Sequence, residues 1–242
     1  MVPCYNEARR LDVTALGRYA ASGSAHRFLF VNDGSTDGTL RLLESLRDSD
    51  AARFGVLSLP KNSGKAEAVR QGILAASADR GDYLGYWDAD LATPLSAIKQ
   101  FCGVLDERPD LELVMGARVK LLGRFIHRKG ARHYLGRLFA TAVSLVLGIG
   151  VYDTQCGAKL FRASGPMRAL FDEPFISSWI FDVEILARLI RDRRNAGLPA
   201  AETVIYEFPL DEWRDVSGSK LRPHDFARSA LELAAIYRRY LR

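Results

Sequence analysis

The run His26-Arg27-Phe28-Leu29-Phe30-Val31, followed at once by Asn32-Asp33-Gly34-Ser35-Thr36-Asp37-Gly38, decides the fold. Its first six residues, rich in aromatic and aliphatic side chains, read as a buried strand. The polar stretch after them is a strand-to-helix turn. Gly34 and Gly38 supply backbone freedom, and Ser35 or Thr36 can cap the helix that carries Leu40, Leu43 and Leu46. The pattern then recurs. Strand candidates at 53–59, 82–87 and 111–116 are each followed by a helical signal: Ala68, Val69, Ile73 and Leu74 repeat at helical spacing after Gly64, and Thr93 is placed to cap a helix opened by Pro94. Such alternation predicts an α/β fold with a mostly parallel sheet flanked by helices. Ligands of open α/β sheets lie outside the carboxyl ends of the strands, so segments 32–37, 60–65 and 88–94 are expected to share one rim.

The last third reads differently. It holds a basic, then apolar segment at 118–152, a short strand at 158–161, a helix near 181–193, a final strand at 203–208 and an amphipathic helix with Phe226, Ala230, Leu233, Tyr237 and Tyr240 on one face. With 242 residues, the chain is expected to form one domain with these elements as elaboration. A content of 48% hydrophobic and 26% charged residues is ordinary for a globular protein and argues against disorder. Cys4, Cys102 and Cys156 are odd in number and dispersed, which fits reduced thiols in a cytosolic protein better than a disulfide or zinc framework. No leader pattern and no uninterrupted apolar run of about 18 residues is present, so neither secretion nor a membrane span is expected.

Net charge is +5, but no acidic residue lies between Glu112 and Asp153, where Arg118, Lys120, Arg124, Arg128, Lys129, Arg132 and Arg137 supply seven positive charges. The rest of the chain is net negative. A basic segment this concentrated suits phosphate, on a lipid, a nucleotide or a nucleic acid. Its continuation into apolar residues 138–151, without interleaved aromatics, argues against nucleic acid.

Asp88-Ala89-Asp90 leaves the end of the apolar run 83–87, where two carboxylates at i and i+2 can reach one divalent ion. Alone, the triplet also fits a solvated loop; its place on the shared rim favours the metal reading. Asp33, the first acidic residue off its strand, can accept hydrogen bonds from a base or a ribose hydroxyl. Lys61-Asn62-Ser63-Gly64-Lys65 opens a helix, where backbone N–H groups bind anions. It is no Walker A loop, since Leu59 and Ala66 stand where that pattern needs glycine and Ser or Thr.

Pro3-Cys4-Tyr5-Asn6-Glu7, the stretch 31–39, Asn62-Ser63-Gly64-Lys65, Asp88-Ala89-Asp90 and Asp153-Thr154-Gln155-Cys156-Gly157-Ala158-Lys159 together resemble the ordered motifs of family 2 glycosyltransferases. Within that family, segments 153–161 and 179–184, and Trp213 with Gly218-Ser219-Lys220, are most similar to dolichyl-phosphate β-glucosyltransferases and their bacterial polyprenyl-phosphate relatives. The resemblance implies a single GT-A domain over residues 1–242, with a nucleotide-sugar-binding part at 1–117, an acceptor-binding part at 118–242 and an interfacial segment at 118–151. It implies inverting, metal-dependent transfer of glucose from UDP-glucose to a polyprenyl or dolichyl phosphate. Mannosyl transfer from GDP-mannose and nucleotide-sugar synthesis are the alternatives, and a nucleic-acid-binding protein is the remotest one. Pro3, Tyr5, Glu7, Asp33, Lys65 and Asp88 would form the nucleoside pocket. Asp88 and Asp90 would hold Mg²⁺ or Mn²⁺, with Asp90 the main ligand, and Arg118 and Arg132 would hold phosphates. Two departures from the family's pattern stand out: only Met1 and Val2 precede the first motif where several apolar residues are usual, which reads as a truncated first central strand, and Ala66 replaces a frequent glycine.

A lipid phosphate acceptor is largely dianionic above about pH 6, by analogy with phosphoserine. Asp153 or Asp182 could therefore position the acceptor without acting as an essential base, and Asp182 could equally be a helix N-terminal charge. The apolar segment 134–151, interrupted by Gly136, Arg137, Thr141 and Ser144, reads as an interfacial helix or as a buried core helix. The first option implies a cytoplasmic protein held peripherally on the inner face of a membrane.

Overall fold

The computed structural model describes residues 1–79, 81–127, 130–214 and 223–242, with the backbone alone at 127, 130–135 and 223–226. In chain order the elements are β1 (Val2–Cys4), α1 (Val13–Ala21), β2 (Phe28–Asp33), α2 (Thr39–Ser49), β3 (Phe54–Leu59), α3 (Lys65–Ala76), β4 (Tyr83–Trp87), α4 (Ser96–Glu107), β5 (Leu113–Ala117), β6 (Phe125–His127) and α5 (Gly130–Leu147). Then follow β7 (Ala158–Arg162), α6 (Gly165–Ala169), α7 (Phe181–Asn195), a 3₁₀ turn (Ala201–Val204), β8 (Ile205–Pro209), β9 (Glu212–Arg214), α8 (Pro223–Ile236) and a closing π-helical turn (Tyr237–Leu241).

β1, β2 and β3 pair in parallel. β4 joins them through Met1, whose amine donates to the Gly85 carbonyl and whose carbonyl accepts from the Trp87 amide, the bonding pattern of parallel strands. Beyond β4 the order is β7, β5, β8, so the whole row reads β3-β2-β1-β4-β7-β5-β8. β5 and β8 are parallel, while β7 runs antiparallel to both of its neighbours. A separate parallel pair, β6 with β9, lies beside the row.

Side chains alternate across the sheet and fill two cores. Phe30, Trp87, Val114 and Leu160 face the helices that carry Leu16, Leu43 and Phe101. Tyr86, Met115 and Phe161 face the helices that carry Val69, Val143, Val183 and Leu233. Full burial of one such side chain contributes about 1.5–3 kcal/mol. The alternating pattern therefore holds helices on both faces, as the sequence predicts.

Several boundaries differ from the sequence reading. β2 extends to Asp33, because Asn32 and Asp33 continue the ladder with Ser58 and Leu59. α2 starts at Thr39, where Asp37 accepts the Thr39 amide, so neither Ser35 nor Thr36 is the cap. Thr93 does not cap α4, which begins at Ser96. Its carbonyl instead accepts the Trp87 indole N–H at 2.8 Å. β5 leads into β6 before any helix. Along α8 and the closing turn the buried stripe is Ser229, Leu233, Ile236 and Tyr240; Leu233 and Tyr240 are buried as expected, Ala230 and Tyr237 are exposed, and the side chain of Phe226 lies outside the described atoms.

Gly34 shows how closely the rim is packed. Its φ is +61°, and a Cβ there would overlap the backbone of Lys61 and Asn62. Gly34→Ala should therefore lower unfolding free energy by about 2 kcal/mol or more. A urea midpoint equal to the parent's would show that the two loops can separate freely.

Candidate active site

The rim is assembled by polar ties between loops. Asn6, at φ 54°, accepts the Thr36 amide at 2.9 Å and donates its own amide to Ser35 Oγ at 3.1 Å. The Glu7 amide donates to Thr39 Oγ1 at 2.8 Å, and its carboxylate pairs with Arg10. Asp33, buried at the end of β2, accepts the Ser63 amide at 2.7 Å and the Gly64 amide at 2.9 Å. The N–H groups before α3 thus do bind an anion, and that anion is Asp33. Pro3 in β1 is partly buried, while Tyr5 stands 45% exposed beside the Asn6–Glu7 turn. The loops after β1, β2 and β3 consequently meet as one surface, as the strand order requires.

Lys65, the first residue of α3, carries the surface to β4 through a 2.6 Å ion pair with Asp88 Oδ1. Burial works against the Lys65 charge, but Asp88, Asp182 and Asp90 together raise its pKa. The Asp88 amide donates to the Gly157 carbonyl at 2.9 Å, and a Cβ on Gly157 would overlap the Asp88 carboxylate. Asp88 is therefore enclosed by Lys65 on one side and by glycine backbone on the other. Asp90 accepts the Ala92 amide at 3.1 Å, and burial together with the Asp88 charge pushes its pKa up. A cation between the two would relieve that repulsion, and an all-oxygen donor pair suits Mg²⁺ or Mn²⁺. Among the described residues, no group of three His, Cys, Asp or Glu side chains could hold a metal, so the residues fit an ion held by two carboxylates with other positions left to phosphate and water.

The acceptor-side expectations are rearranged. Arg118 follows β5 directly, and its fork lies on Asp153: Nε to Oδ2 at 2.6 Å and Nη2 to Oδ1 at 2.7 Å, with its backbone amide on Oδ2 at 3.1 Å. The guanidinium also stacks on Trp213, 5.2 Å from the ring centroid. These two expected site residues form one bidentate pair, so Arg118 is not an open phosphate clamp in this arrangement. Asp182 lies in the first turn of α7, as the helix N-terminal reading expects, and it is buried: its Oδ1 takes the Lys159 ammonium at 2.5 Å and also the Tyr86 hydroxyl. Arg132 lies in α5 with its side chain outside the described atoms; Arg128, Lys129 and the Gly218-Ser219-Lys220 stretch lie outside the described residues.

Sequence reasoning missed Lys159. It is 0% exposed, and its ammonium also donates to the carbonyls of Thr154 and Cys156, both at 2.9 Å. The available signal was a lysine set between Ala158 and the apolar pair Leu160-Phe161 of the strand. Burial pushes the Cys156 thiol up to about 11 and Cys4 up to about 12, so neither is a thiolate nucleophile, and all three cysteines are free.

α5 is two-faced. Ala140, Val143 and Leu147 are buried, whereas Leu138 and Leu145 are exposed. Before α5 in the chain, Leu121 and Leu122 of the turn after β5 and Phe125 of β6 are exposed, Leu122 fully at 104%, with Lys120 exposed next to Leu121 in sequence and Arg124 tied to Asp211. No helix among the described residues is long and apolar enough to cross a membrane.

A carboxylate pair at the end of a central strand, a lysine from the neighbouring helix and a mixed sheet of this order fit the GT-A fold of nucleotide-sugar enzymes. The overall structure aligns with glucosyl-3-phosphoglycerate synthase from Mycobacterium tuberculosis at TM-score 0.65 and 22% identity, over 99% of this chain and 78% of that one; one of the structures of that protein, at TM-score 0.61, contains Mn²⁺ and uridine-diphosphate-glucose. Residues 1–165 match the model of glycosyl transferase family 2, and the chain belongs to that family. The dolichyl-phosphate beta-glucosyltransferase of Dictyostelium discoideum is 31% identical over 100% of this chain and 74% of its own length, and that of Drosophila melanogaster is 32% identical over 100% and 74%.

The Lys159–Asp182 pair yields a stability test. Lys159→Met leaves a buried, uncompensated carboxylate and should cost about 3–5 kcal/mol in urea unfolding. Lys159→Met combined with Asp182→Leu should recover at least half of that loss. A double variant no more stable than the single one would show that the lysine acts through the Thr154 and Cys156 carbonyls alone.

Proposed function

We propose that the protein transfers glucose from UDP-glucose, with inversion, to a dolichyl or polyprenyl phosphate. The observation that carries this reading is the meeting of Lys65, Asp88 and Gly157, which joins the rim of β1–β4 to the loop before β7. The activity for which the relatives in Dictyostelium discoideum and Drosophila melanogaster are named supports the sugar and the lipid class. In this reading residues 1–117 bind the nucleotide sugar and residues 118–242 the acceptor.

Asp33, Tyr5 and Glu7 line the nucleoside side, with Pro3 fixing the turn behind them. Asp33 keeps acceptor capacity after its two amide bonds, because a carboxylate offers about four lone-pair sites. Asp88 and Asp90 would hold a divalent ion, which would supply positive charge at the diphosphate of the donor. Lys65 adds a second cation at the same edge. Asp153 and Arg118 present a preformed pair toward the acceptor, and an arriving phosphate would exchange with Asp153 for the guanidinium fork. Arg132, one helical segment away, is the second candidate for that phosphate. Since the acceptor oxygen is already anionic, no carboxylate need remove a proton.

The exposed Leu121, Leu122 and Phe125, and Leu138 and Leu145 of α5, are the apolar side chains that would rest on a bilayer, and Lys120 would face anionic headgroups. Peripheral attachment on the cytoplasmic face follows from this reading.

Transfer of label from UDP-glucose to polyprenyl phosphate in detergent tests the proposal directly. Asp90→Asn should reduce turnover about 100-fold or more while melting near the parent temperature. Near-parental turnover at saturating Mn²⁺ would remove Asp90 from the site, and a preference for GDP-mannose would change the sugar assigned. For the surface, Leu122→Ser combined with Phe125→Ser should lower recovery on anionic liposomes on the order of tenfold. Unchanged flotation would place the membrane contact elsewhere.

A further inference from the structure

Glu207 is a charged group inside a sheet, and nothing in the reaction described above uses it. It is the third residue of β8, paired in register with Met115 of β5, and is partly buried. Its Oε1 accepts the Tyr152 amide at 3.0 Å and the Asp153 amide at 2.8 Å, and its Oε2 accepts the Tyr152 amide at 2.8 Å. The Asp153 carboxylate in turn holds Arg118, which leaves β5 one residue after the Ala117–Pro209 pairing. A closed circuit results: β8 fixes the 152–153 turn, the turn fixes Arg118, and Arg118 is anchored on β5 beside β8.

We propose that Glu207 is a positioning residue for the acceptor phosphate, holding the Tyr152–Asp153 turn so that Asp153 and Arg118 keep the orientation in which the phosphate meets them. The inference rests on the reading of this pair as the acceptor side of the site. Two amides would be satisfied by any neutral acceptor, so a bracing role alone does not require a charge here. The negative charge does something a neutral group cannot: it strengthens both amide bonds, since hydrogen bonds to an ionised acceptor are roughly twice as strong. The groups facing it are Asp153, Arg118 behind Asp153, Lys159 of β7 and, over the Tyr152 ring, Arg137 of α5 at 3.8 Å. Burial raises the Glu207 pKa, the two amides lower it, the Asp153 charge raises it and Lys159 lowers it, with a net upward direction. Protonation on acidification would therefore weaken the turn at a higher pH than for an ordinary glutamate.

The test is a comparison of Glu207→Gln and Glu207→Asp with the parent enzyme, using UDP-glucose, Mn²⁺ and a polyprenyl phosphate in detergent. Glutamine keeps the shape and mimics the protonated acid, while aspartate keeps the charge but withdraws it by one methylene. At pH 8 both should raise the acceptor KM about tenfold and leave the UDP-glucose KM within about twofold, because the nucleoside side does not touch Glu207. The acceptor's own ionisation affects all three proteins equally and cancels in the ratio of variant to parent. For glutamine that ratio should shrink toward one as pH falls through the Glu207 pKa, since the parent then loses the same charge. A ratio independent of pH, an unchanged acceptor KM, or an equal rise in donor KM would overturn the assignment. Parental transfer in the same assay separates the two levels: with it, such a result removes Glu207 alone, and without it the functional reading falls together with this one.

Discussion

The backbone bond from the Asp88 amide to the Gly157 carbonyl is the constraint on which the rest of the site depends. It exists because β7 runs antiparallel between β4 and β5, so that Ala158, where β7 begins, pairs with Trp87, where β4 ends. A parallel strand in that position would have brought its carboxyl-end loop to the rim instead. Here the loop that precedes β7 arrives there, carrying Asp153, Cys156 and Gly157. The nucleotide-side motifs and the loop that follows them by some sixty residues are thereby forced into contact, and only glycine at 157 allows the approach.

That approach concentrates charge, and the arrangement of cations follows from it. Asp88, Asp90 and Asp182 lie close enough together to act jointly on Lys65. Lys65 answers Asp88 at the half-exposed edge, and Lys159 answers Asp182 in the interior. The two lysines are not equivalent. Lys159 is sealed in, with its three donors directed to two carbonyls and a carboxylate, which satisfies the ammonium completely. Lys65 keeps access to solvent and is the one that can turn to a ligand. Asp90 has no lysine within salt-bridge distance among the described residues, and its raised pKa marks the place where added positive charge would be most effective.

How much of this was legible in the sequence depends on whether a signal was local. The strand-turn-helix units could be read because period and turn residues sit side by side, and segments 32–37, 60–65 and 88–94 meet as the carboxyl-end rule requires. Strand direction was not legible for β7: five residues have the same alternation in either direction, and only the long connection from β5 through α5 decides it. Nor could the partner of a charge be read. Asp182 stood beside Asp153 as a candidate for positioning the acceptor, but Lys159, twenty-three residues before it, takes that carboxylate inside the core. Arg118 and Asp153 were both singled out, and their mutual pairing was not, since the sequence separation of thirty-five residues carries no information about a fork closing on a carboxylate.

The apolar segment shows why two opposed sequence readings of one helix can each be half right. A core helix and an interfacial helix differ in how many of their faces are apolar, and α5 has apolar residues on nearly all of them. Only the side bearing Ala140, Val143 and Leu147 is buried, where α5 packs toward α7 and the closing turn. Leu138 and Leu145, two turns apart, remain outside on one line, and Leu121, Leu122 and Phe125, before α5 in the chain, are exposed as well. Burying them by folding would need another layer, which the described residues do not supply. On the proposed reading a bilayer supplies it, and the position of Arg118 then becomes a matter of reach. The arginine is fixed to the end of β5, and the exposed turn begins only three residues later. A phosphate at the guanidinium and a lipid tail beyond Leu122 are therefore spanned by a short stretch of one chain, so acceptor binding and membrane contact would be coupled through the backbone between them.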